Sequence, residues 1–189
     1  MRRRELITAA LALPATAALA DAHSAALAAL RAGGLVVALR HALAPGTFDP
    51  PGFRIGDCST QRNLDPAGRA QAQRIGTWFR SQGLAPAAVW ASPWCRCVDT
   101  AMLAFGRVDI WPALGSPHGS TERANAERLP QLQQRLLATS GRSGGFEVWV
   151  THQLVIAELS GASTASGEAL LLRAAAGEQP QLLARLKLD

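Results

Sequence analysis

Three apolar runs along the chain each end at a polar residue that could bind a ligand or take part in a reaction. They are Leu35–Leu39 before Arg40-His41, Val89–Ala91 before Ser92, and Phe146–Thr151 before His152. The first run is continuously aliphatic, which predicts a strand buried on both faces of a sheet, and the other two runs are strand-like. Such strands deliver their last residues to the carboxyl edge of the sheet, where open α/β sheets bind ligands. The pattern therefore predicts one site assembled from three strand ends.

The segments between and beyond these runs predict helices and further strands. Helices are expected at Ala22 to Arg31, Asp65 to Gln82, Trp94 to Phe105, Thr121 to Thr139 and Leu154 to Leu159, and strands at Ala88 to Ala91, Val108 to Trp111, Glu168 to Arg173 and Leu182 to Leu188. Asp65-Pro66 is a favourable helix start, with a carboxylate cap followed by proline. Alternation of strands and helices predicts an α/β fold, a three-layer α/β/α sandwich with a mainly parallel central sheet. Residues Ala44 to Cys58 are rich in Pro and Gly, which predicts a loop able to cover the site.

The first 20 residues have the composition of an export signal. Three arginines precede an Ala- and Leu-rich segment that ends in a small-x-small motif, Ala18-Leu19-Ala20. Arg3-Arg4 also resembles a twin-arginine signal. We therefore expect a periplasmic or secreted protein with one domain at residues 21–189 and no stable membrane span after signal removal. The alternative is an uncleaved membrane anchor, and the sequence does not decide whether the signal is cleaved.

Charge and cysteine content further restrict the kind of protein that this sequence encodes. The net charge is +5, and the three arginines and one glutamate of the predicted signal account for +2 of it, which leaves +3. Because no basic run follows, we expect no nucleic-acid partner. Of the three cysteines, Cys95 and Cys97 point apart at a helix start, so Cys58 is expected to pair with one of them, with Cys95 favoured. The alternative is three reduced, buried thiols.

The residues at the strand ends suggest phosphoryl chemistry. Arg40 carries a planar fork of donors that matches phosphate oxygens. A neutral imidazole such as that of His41 attacks phosphorus well when its second nitrogen is held by an acceptor. Arg96 and His152 would add donors that stabilise the transferring group. We expect His23 and His118 to be exposed, because neither ends a buried strand.

These motifs, in this order, resemble the histidine phosphatase (phosphoglycerate mutase-like) superfamily. The matching pieces are Leu39-Arg40-His41-Ala42, Asn63 to Ala72, Ala91-Ser92-Pro93 with Arg96 and Asp99-Thr100-Ala101, and Val150-Thr151-His152. Gly56 to Asn63 together with Trp94 to Cys97 resembles an exported bacterial subgroup. The resemblance implies that His41 is the phosphorylated nucleophile and that Arg40, Arg96 and His152 bind the phosphoryl group. Thr47 stands where many members carry asparagine and is a candidate contact.

Other site residues follow with less support from the motifs. Arg62 and Gln153 are candidate substrate contacts. The leaving group needs a proton from an acid, and Glu122 is the nearest match to the family's position, with Asp57 and Glu168 as competitors. Solvated loop or helix-start residues are the alternative interpretation of each of these positions.

The sequence thus predicts a metal-independent enzyme without a cofactor. It would hydrolyse a small-molecule or glycan phosphomonoester in the cell envelope through a phosphohistidine. A mutase is less attractive because the chain lacks long insertions to enclose an intermediate. The alternative function is a non-catalytic protein that binds a phosphate or phosphosugar in the same pocket. Neither the substrate nor the oligomeric state is defined by the sequence.

Overall fold

The computed structural model describes residues 15–188, with side chains from His23 onward. Residues 1–14 of the predicted export signal lie outside the described residues. The helices are α1 (Ala15–Ala32), α2 (Pro66–Ser81), α3 (Cys95–Phe105), α4 (Glu122–Ser140) and α5 (Gln153–Ser160). The strands are β1 (Leu35–Arg40), β2 (Ala88–Ala91), β3 (Asp109–Ile110), β4 (Phe146–Thr151), β5 (Glu168–Arg173) and β6 (Gln181–Lys187).

The six strands form one sheet in the order β3-β2-β4-β1-β5-β6. Neighbours from β3 to β1 are parallel, whereas β5 runs antiparallel to β1, and β6 antiparallel to β5. The sheet is therefore mixed, with a parallel half that carries the predicted site and an antiparallel half at the other side. The expectation of a mainly parallel sheet is met only in part.

Helices cover both faces of the sheet, which confirms the three-layer sandwich. Side chains of α1, α2 and α3 pack with Val37 and Leu39 of β1 on one face. Side chains of α4 and α5 pack with Val36 and Ala38 on the other. Successive strand residues point to opposite faces, so the continuous aliphatic pattern of β1 is explained by burial on both sides.

Local capping explains where two of the helices begin. The Asp65 carboxylate accepts a hydrogen bond from the Gly68 N–H at 2.7 Å at the start of α2, as its Asp-Pro sequence predicts. Thr121 caps α4 in the same manner through the Ala124 N–H. α2 then packs closely on α3 at Gly76, where a Cβ would overlap the Ala104 carbonyl. This close approach helps to fix α3, the helix that carries Arg96.

The predicted element boundaries agree with the structure to within one residue, except at the start of α1. α1 extends before Ala22 to Ala15, the first described residue, because the alanine-rich sequence that favours a helix continues back into the predicted signal. β3 comprises only Asp109–Ile110, since it is an exposed edge strand with one neighbour. None of the helices in the described part of the chain is long and apolar enough to cross a membrane.

A disulfide joins Cys58 to Cys95, the pairing favoured from the sequence. It ties the loop that follows β1 to the first residue of α3. Cys97 is free and buried in the core beneath the predicted site. Burial raises the pKa of the Cys97 thiol to about 12, so this thiol stays protonated.

Candidate active site

Parallel pairing brings the three strand ends together. The His41 N–H donates to the Thr151 carbonyl at 3.0 Å, which continues the β1–β4 ladder by one residue. The Ser92 N–H donates to the Val150 carbonyl at 3.0 Å from the other side. His41, Ser92 and His152 consequently share the carboxyl edge of the sheet, and the two imidazole rings lie 5.6 Å apart between centroids.

The tautomer of His41 follows from its partner. Nδ1 lies 2.8 Å from the Ala42 carbonyl, which can only accept, so Nδ1 carries the proton and Nε2 carries the lone pair. Burial lowers the pKa of His41 to about 3; the hydrogen bond to Ala42 opposes this, and the charges of Arg96 and two other arginines add to it. The ring is therefore neutral at physiological pH, which is the state that a nucleophile needs.

His152 is held from both sides. Its Nδ1 lies 3.4 Å from Nη2 of Arg96, a donor, so that Nε2 carries the proton and donates to the Ser92 hydroxyl at 2.8 Å. Burial lowers the pKa of His152 well below its ordinary value, and the Arg96 charge adds to the effect. The indole of Trp94 packs edge-on against the ring at 5.3 Å.

The guanidinium of Arg96 forms a buried ion pair with Asp49. Nη1 lies 2.8 Å from Oδ1 and Nη2 lies 3.2 Å from Oδ2. The same carboxylate also accepts from the Arg62 backbone N–H and from the Trp94 indole. Burial raises the pKa of Asp49, but these hydrogen bonds outweigh it and leave the pKa below its ordinary value. The Asp49 carboxylate thus binds Arg96, the arginine that the sequence analysis predicts to bind the phosphoryl group.

Arg40 and Arg62 complete the cationic set. Nη1 of Arg40 donates to the Thr164 carbonyl at 2.7 Å, and Nη1 of Arg62 donates to the Ala44 carbonyl. Burial lowers the pKa of both side chains, and the neighbouring charge of Arg96 lowers them further. The Nε–H groups of Arg40, Arg62 and Arg96 are buried and have no acceptor among the described residues. Three guanidinium groups with unused donors favour an anionic ligand.

An open cavity of about 490 Å³ lies over these groups. It is lined by Arg40, His41, Gly46, Thr47, Phe48, Asp49, Phe53, Arg62, Arg96, Ser116, His118, Gly119, His152, Gln153 and Leu154. The structure therefore brings His41, Arg40, Arg96 and His152 together, with Thr47, Arg62 and Gln153 around them. Thr47 and Gln153 are exposed at its rim. Their roles as contacts remain predictions.

The three predicted proton donors are not among the lining residues. Glu122 is exposed at the first position of α4. Asp57 binds Arg54 and caps the short 3-10 helix at Cys58–Thr60. Glu168 starts β5, where it accepts from the Ala165 N–H and from Arg185. Asp57 and Glu168 are therefore engaged by neighbouring groups, and Glu122 faces solvent at a helix start, the alternative interpretation of that position.

Three residues of the site were not assigned from the sequence. Asp49 lies in a Pro- and Gly-rich loop without a periodic pattern, 47 residues from Arg96. Ser92 belongs to a recognised motif, but its bond to His152 joins two distant segments. His118 is exposed as predicted, and it also lines the cavity, which its position in the sequence did not indicate.

Metal binding can also be assessed from the side chains present. Among residues 15–188, no group of three or more His, Cys, Asp or Glu side chains is arranged to hold a metal ion. The charged groups that face the cavity are mainly guanidinium groups, which repel a cation.

The family follows from sequence comparison. Residues 37–138, just over half of the chain, match the model of the histidine phosphatase superfamily (branch 1). The chain therefore belongs to this superfamily. The matched region contains Arg40, His41, Arg62 and Arg96 and ends before His152. No curated protein is significantly similar to the chain in sequence.

Solved structures share the fold at low identity. One is the product of open reading frame Rv3214 from Mycobacterium tuberculosis (18% identity, 78% of this chain and 94% of that chain, TM-score 0.56). Another is mycobacterial glucosyl-3-phosphoglycerate phosphatase Rv2419c in complex with VO3 (17% identity, 78% of this chain and 96% of that chain, TM-score 0.57). A third is phosphoserine phosphatase from Entamoeba histolytica with 3-phosphoglyceric acid (12% identity, 81% of this chain and 96% of that chain, TM-score 0.56). At these identities, the likeness establishes the fold alone.

Proposed function

We propose that this protein hydrolyses phosphomonoesters through a phosphohistidine formed on His41. The observation that carries the proposal is the state of that ring. Nδ1 is held as a donor by Ala42, the ring is neutral, and it lies in a cavity with three guanidinium groups. Nε2 is thus a free nucleophile beside donors for an anion.

The reaction proceeds in two transfers. Nε2 of His41 attacks phosphorus, the bond to the leaving oxygen breaks, and that oxygen takes a proton from the protein and departs as the alcohol. Water then attacks the phosphohistidine and returns a proton to the protein, the P–N bond breaks, and inorganic phosphate leaves. Arg40, Arg62 and Arg96 stabilise the nonbridging oxygens, where negative charge is concentrated throughout.

His152 adapts to the bound phosphoryl group. Its contact with Arg96 at 3.4 Å is longer than its bond to Ser92 at 2.8 Å. When a phosphoryl oxygen engages Arg96, Nδ1 of His152 takes up a proton and donates to the same anion. Anion binding is then coupled to proton uptake, because the charged imidazole is stabilised by the ligand.

We propose that catalysis needs no metal or cofactor. Fixed guanidinium groups supply the positive charge that Mg²⁺ provides in many other phosphoryl transfers. The proposal is supported by the cationic cavity lining and by the geometry of the His41 ring. Activity in the presence of chelator is the direct test.

The substrate is a small-molecule or glycan phosphomonoester located in the cell envelope. The cavity is larger than one phosphate group and its rim carries Phe48, Phe53 and Leu154, which favours an organic group beyond the phosphate. The Cys58–Cys95 disulfide supports an oxidising compartment, as does the signal-like N-terminus. Export by the twin-arginine route remains part of this proposal, as does membership of an exported subgroup.

Two observations favour a second candidate, a phosphate- or phosphosugar-binding protein without turnover. Asp49 already satisfies the Arg96 fork, and none of the three predicted acids lines the cavity. Such a protein would bind the anion by displacing Asp49 and release it unchanged.

The two candidates are separated by a turnover experiment on the protein without its predicted signal, with chelator present. We expect hydrolysis of dinitrophenyl phosphate, and an acid-labile phosphoenzyme when the reaction is quenched with base. H41A abolishes both but retains tungstate binding, whereas H23A changes neither. His23 is the matched control because it is an exposed histidine on α1, packed against Trp78 and outside the cavity. Tungstate binding without any hydrolysis by the wild type would establish the binding protein instead.

A further inference from the structure

We infer that His118 is the catalytic residue that protonates the leaving oxygen. The inference rests on the proposed phosphatase function. It assigns the acid role to an imidazole from the loop between β3 and α4, and not to any of the three carboxylates considered from the sequence.

The cavity lining leaves one group free for proton transfer. The titratable or charged side chains that face it are Arg40, His41, Asp49, Arg62, Arg96, His118 and His152. His41 is the nucleophile, and His152 is bound to Ser92 and Arg96. Asp49 is held as a carboxylate by its four donors and has no proton to give. Guanidinium groups do not release protons in proteins.

His118 has the exposure that an acid needs. It faces solvent at the cavity wall, where its ring nitrogens can exchange protons with water and with a bound substrate. The buried rings of His41 and His152 stay neutral, by contrast, because burial lowers their pKa values. His118 has no hydrogen-bond partner among the described residues, so both of its nitrogens are available to substrate.

The loop that carries His118 is fixed beside the anion site. The neighbouring Gly119 has a positive φ of 91° and lies so close to Phe53 that a Cβ would overlap the ring. Phe53 packs against Trp94, with 6.0 Å between ring centroids, and Trp94 binds Asp49. The Asp49 carboxylate in turn binds Arg96, so a chain of contacts leads from the loop to the phosphate clamp.

Further contacts set the His118 ring and its loop. The ring packs edge-on against Phe48, with centroids 5.5 Å apart. The Ser120 hydroxyl donates to the Ser116 carbonyl at 2.7 Å, and Asn125 donates to the Pro117 carbonyl from α4. These bonds span the turn on both sides of His118 and hold the ring at the cavity wall.

The proton moves in a balanced cycle. In the first transfer, His41 attacks phosphorus, the P–O bond breaks, and imidazolium His118 gives its proton to the departing alkoxide. In the second, neutral His118 takes a proton from the water that attacks the phosphohistidine. The phosphomonoester and one water become the alcohol and inorganic phosphate, and His118 regains its proton.

The test compares the wild type with H118Q on two substrates that differ in their leaving group. Both proteins lack the predicted signal. General acid catalysis matters most for a poor leaving group. For glycerol phosphate we expect H118Q to lower kcat/KM by about 100-fold or more. For dinitrophenyl phosphate, whose phenolate departs without a proton, the loss should stay below about fivefold by the same reasoning.

Controls separate this role from a structural one. H118Q should melt at the wild-type temperature and bind tungstate as the wild type does, and H23Q should match the wild type on both substrates. Equal losses on the two phosphates, no loss on either, or a wild type inactive on glycerol phosphate would each overturn the assignment of His118. A wild type that forms no phosphoenzyme would instead overturn the proposed function itself.

Discussion

The carboxylate of Asp49 and the guanidinium of Arg96 form a two-point ion pair inside the cavity where we place the phosphoryl group. Both side chains are less than a tenth exposed. A phosphoryl group that uses the Arg96 fork must therefore share it with Asp49 or displace it. The first prediction concerns this competition between the Asp49 carboxylate and a phosphoryl group for Arg96.

We expect D49N to bind anions more tightly and to be less stable. Without the carboxylate charge, tungstate binding should strengthen by about tenfold or more, because a like charge has been removed from the site. Leaving Arg96 buried without its counterion should cost about 2 kcal/mol or more of unfolding free energy. Calorimetric titration and urea unfolding measure the two effects.

D57N is the matched control for D49N. Asp57 pairs with Arg54 at the surface, where salt bridges contribute little. This variant should leave tungstate affinity as it is. Weaker tungstate binding by D49N would show that Asp49 positions Arg96 for the ligand and does not compete with it.

The buried imidazoles predict a loss of stability in acid. The pKa of His41 is lowered to about 3 in the folded protein, from an ordinary value of 6.5. The unfolded chain therefore binds more protons between these values, so the stabilising contribution is complete above pH 6.5 and is lost as pH falls toward 3. The slope for one such group approaches about 1.4 kcal/mol per pH unit. His152 acts in the same direction.

Urea unfolding at a series of pH values measures this slope. H41N should show a shallower dependence of the unfolding free energy on pH than the wild type, and H23N an unchanged one. A wild-type slope that H41N leaves intact would contradict a neutral, buried His41.

Thr100 links the nucleophile to α3. Its hydroxyl accepts from the Ala42 N–H at 3.0 Å and donates to the Arg96 carbonyl at 2.6 Å. T100V leaves the buried Ala42 N–H without a partner, which should cost about 1 to 3 kcal/mol. Because the Ala42 carbonyl orients the His41 ring, kcat for dinitrophenyl phosphate should fall as well. T100S retains the hydroxyl and should keep both stability and kcat near the wild-type values.

The disulfide should stabilise the loop that carries Asp49. Cys58 and Cys95 close a chain segment with a sequence separation of 37. Loop entropy assigns about 4 kcal/mol to such a crosslink. The C58S/C95S double variant should therefore melt well below the oxidised wild type, and reductant should lower only the wild-type melting temperature. Equal melting temperatures for the oxidised wild type and the double variant would contradict the prediction.

Local sequence patterns predicted the elements near the site. A continuous aliphatic run defined β1, and a strand-like run that includes Glu147 defined β4; both strands end where expected, at Arg40 and at Thr151 before His152. The Asp65-Pro66 pair fixed the start of α2. These features depend on neighbouring residues alone, since strand and helix periodicity and capping are local properties.

The antiparallel half of the sheet was not anticipated. The apolar composition of β5 and β6 does not indicate strand direction, which depends on how the chain returns to β1.

The positions of the loop residues could not be predicted from local patterns either. Asp49 and His118 lie in segments without periodicity, and their places follow from contacts with Arg96, Trp94, Phe53 and Phe48.

By itself, the sequence determined which strands are buried and which residues stand at their ends, because burial on both faces demands continuous apolar residues. It thereby located His41, Arg40 and His152 at one edge of the sheet. Only the tertiary structure decided which anion sits on Arg96, which predicted acids lie away from the cavity, and which loop histidine faces it. Those outcomes depend on packing and hydrogen bonds between segments far apart in the chain, and such contacts leave no local pattern.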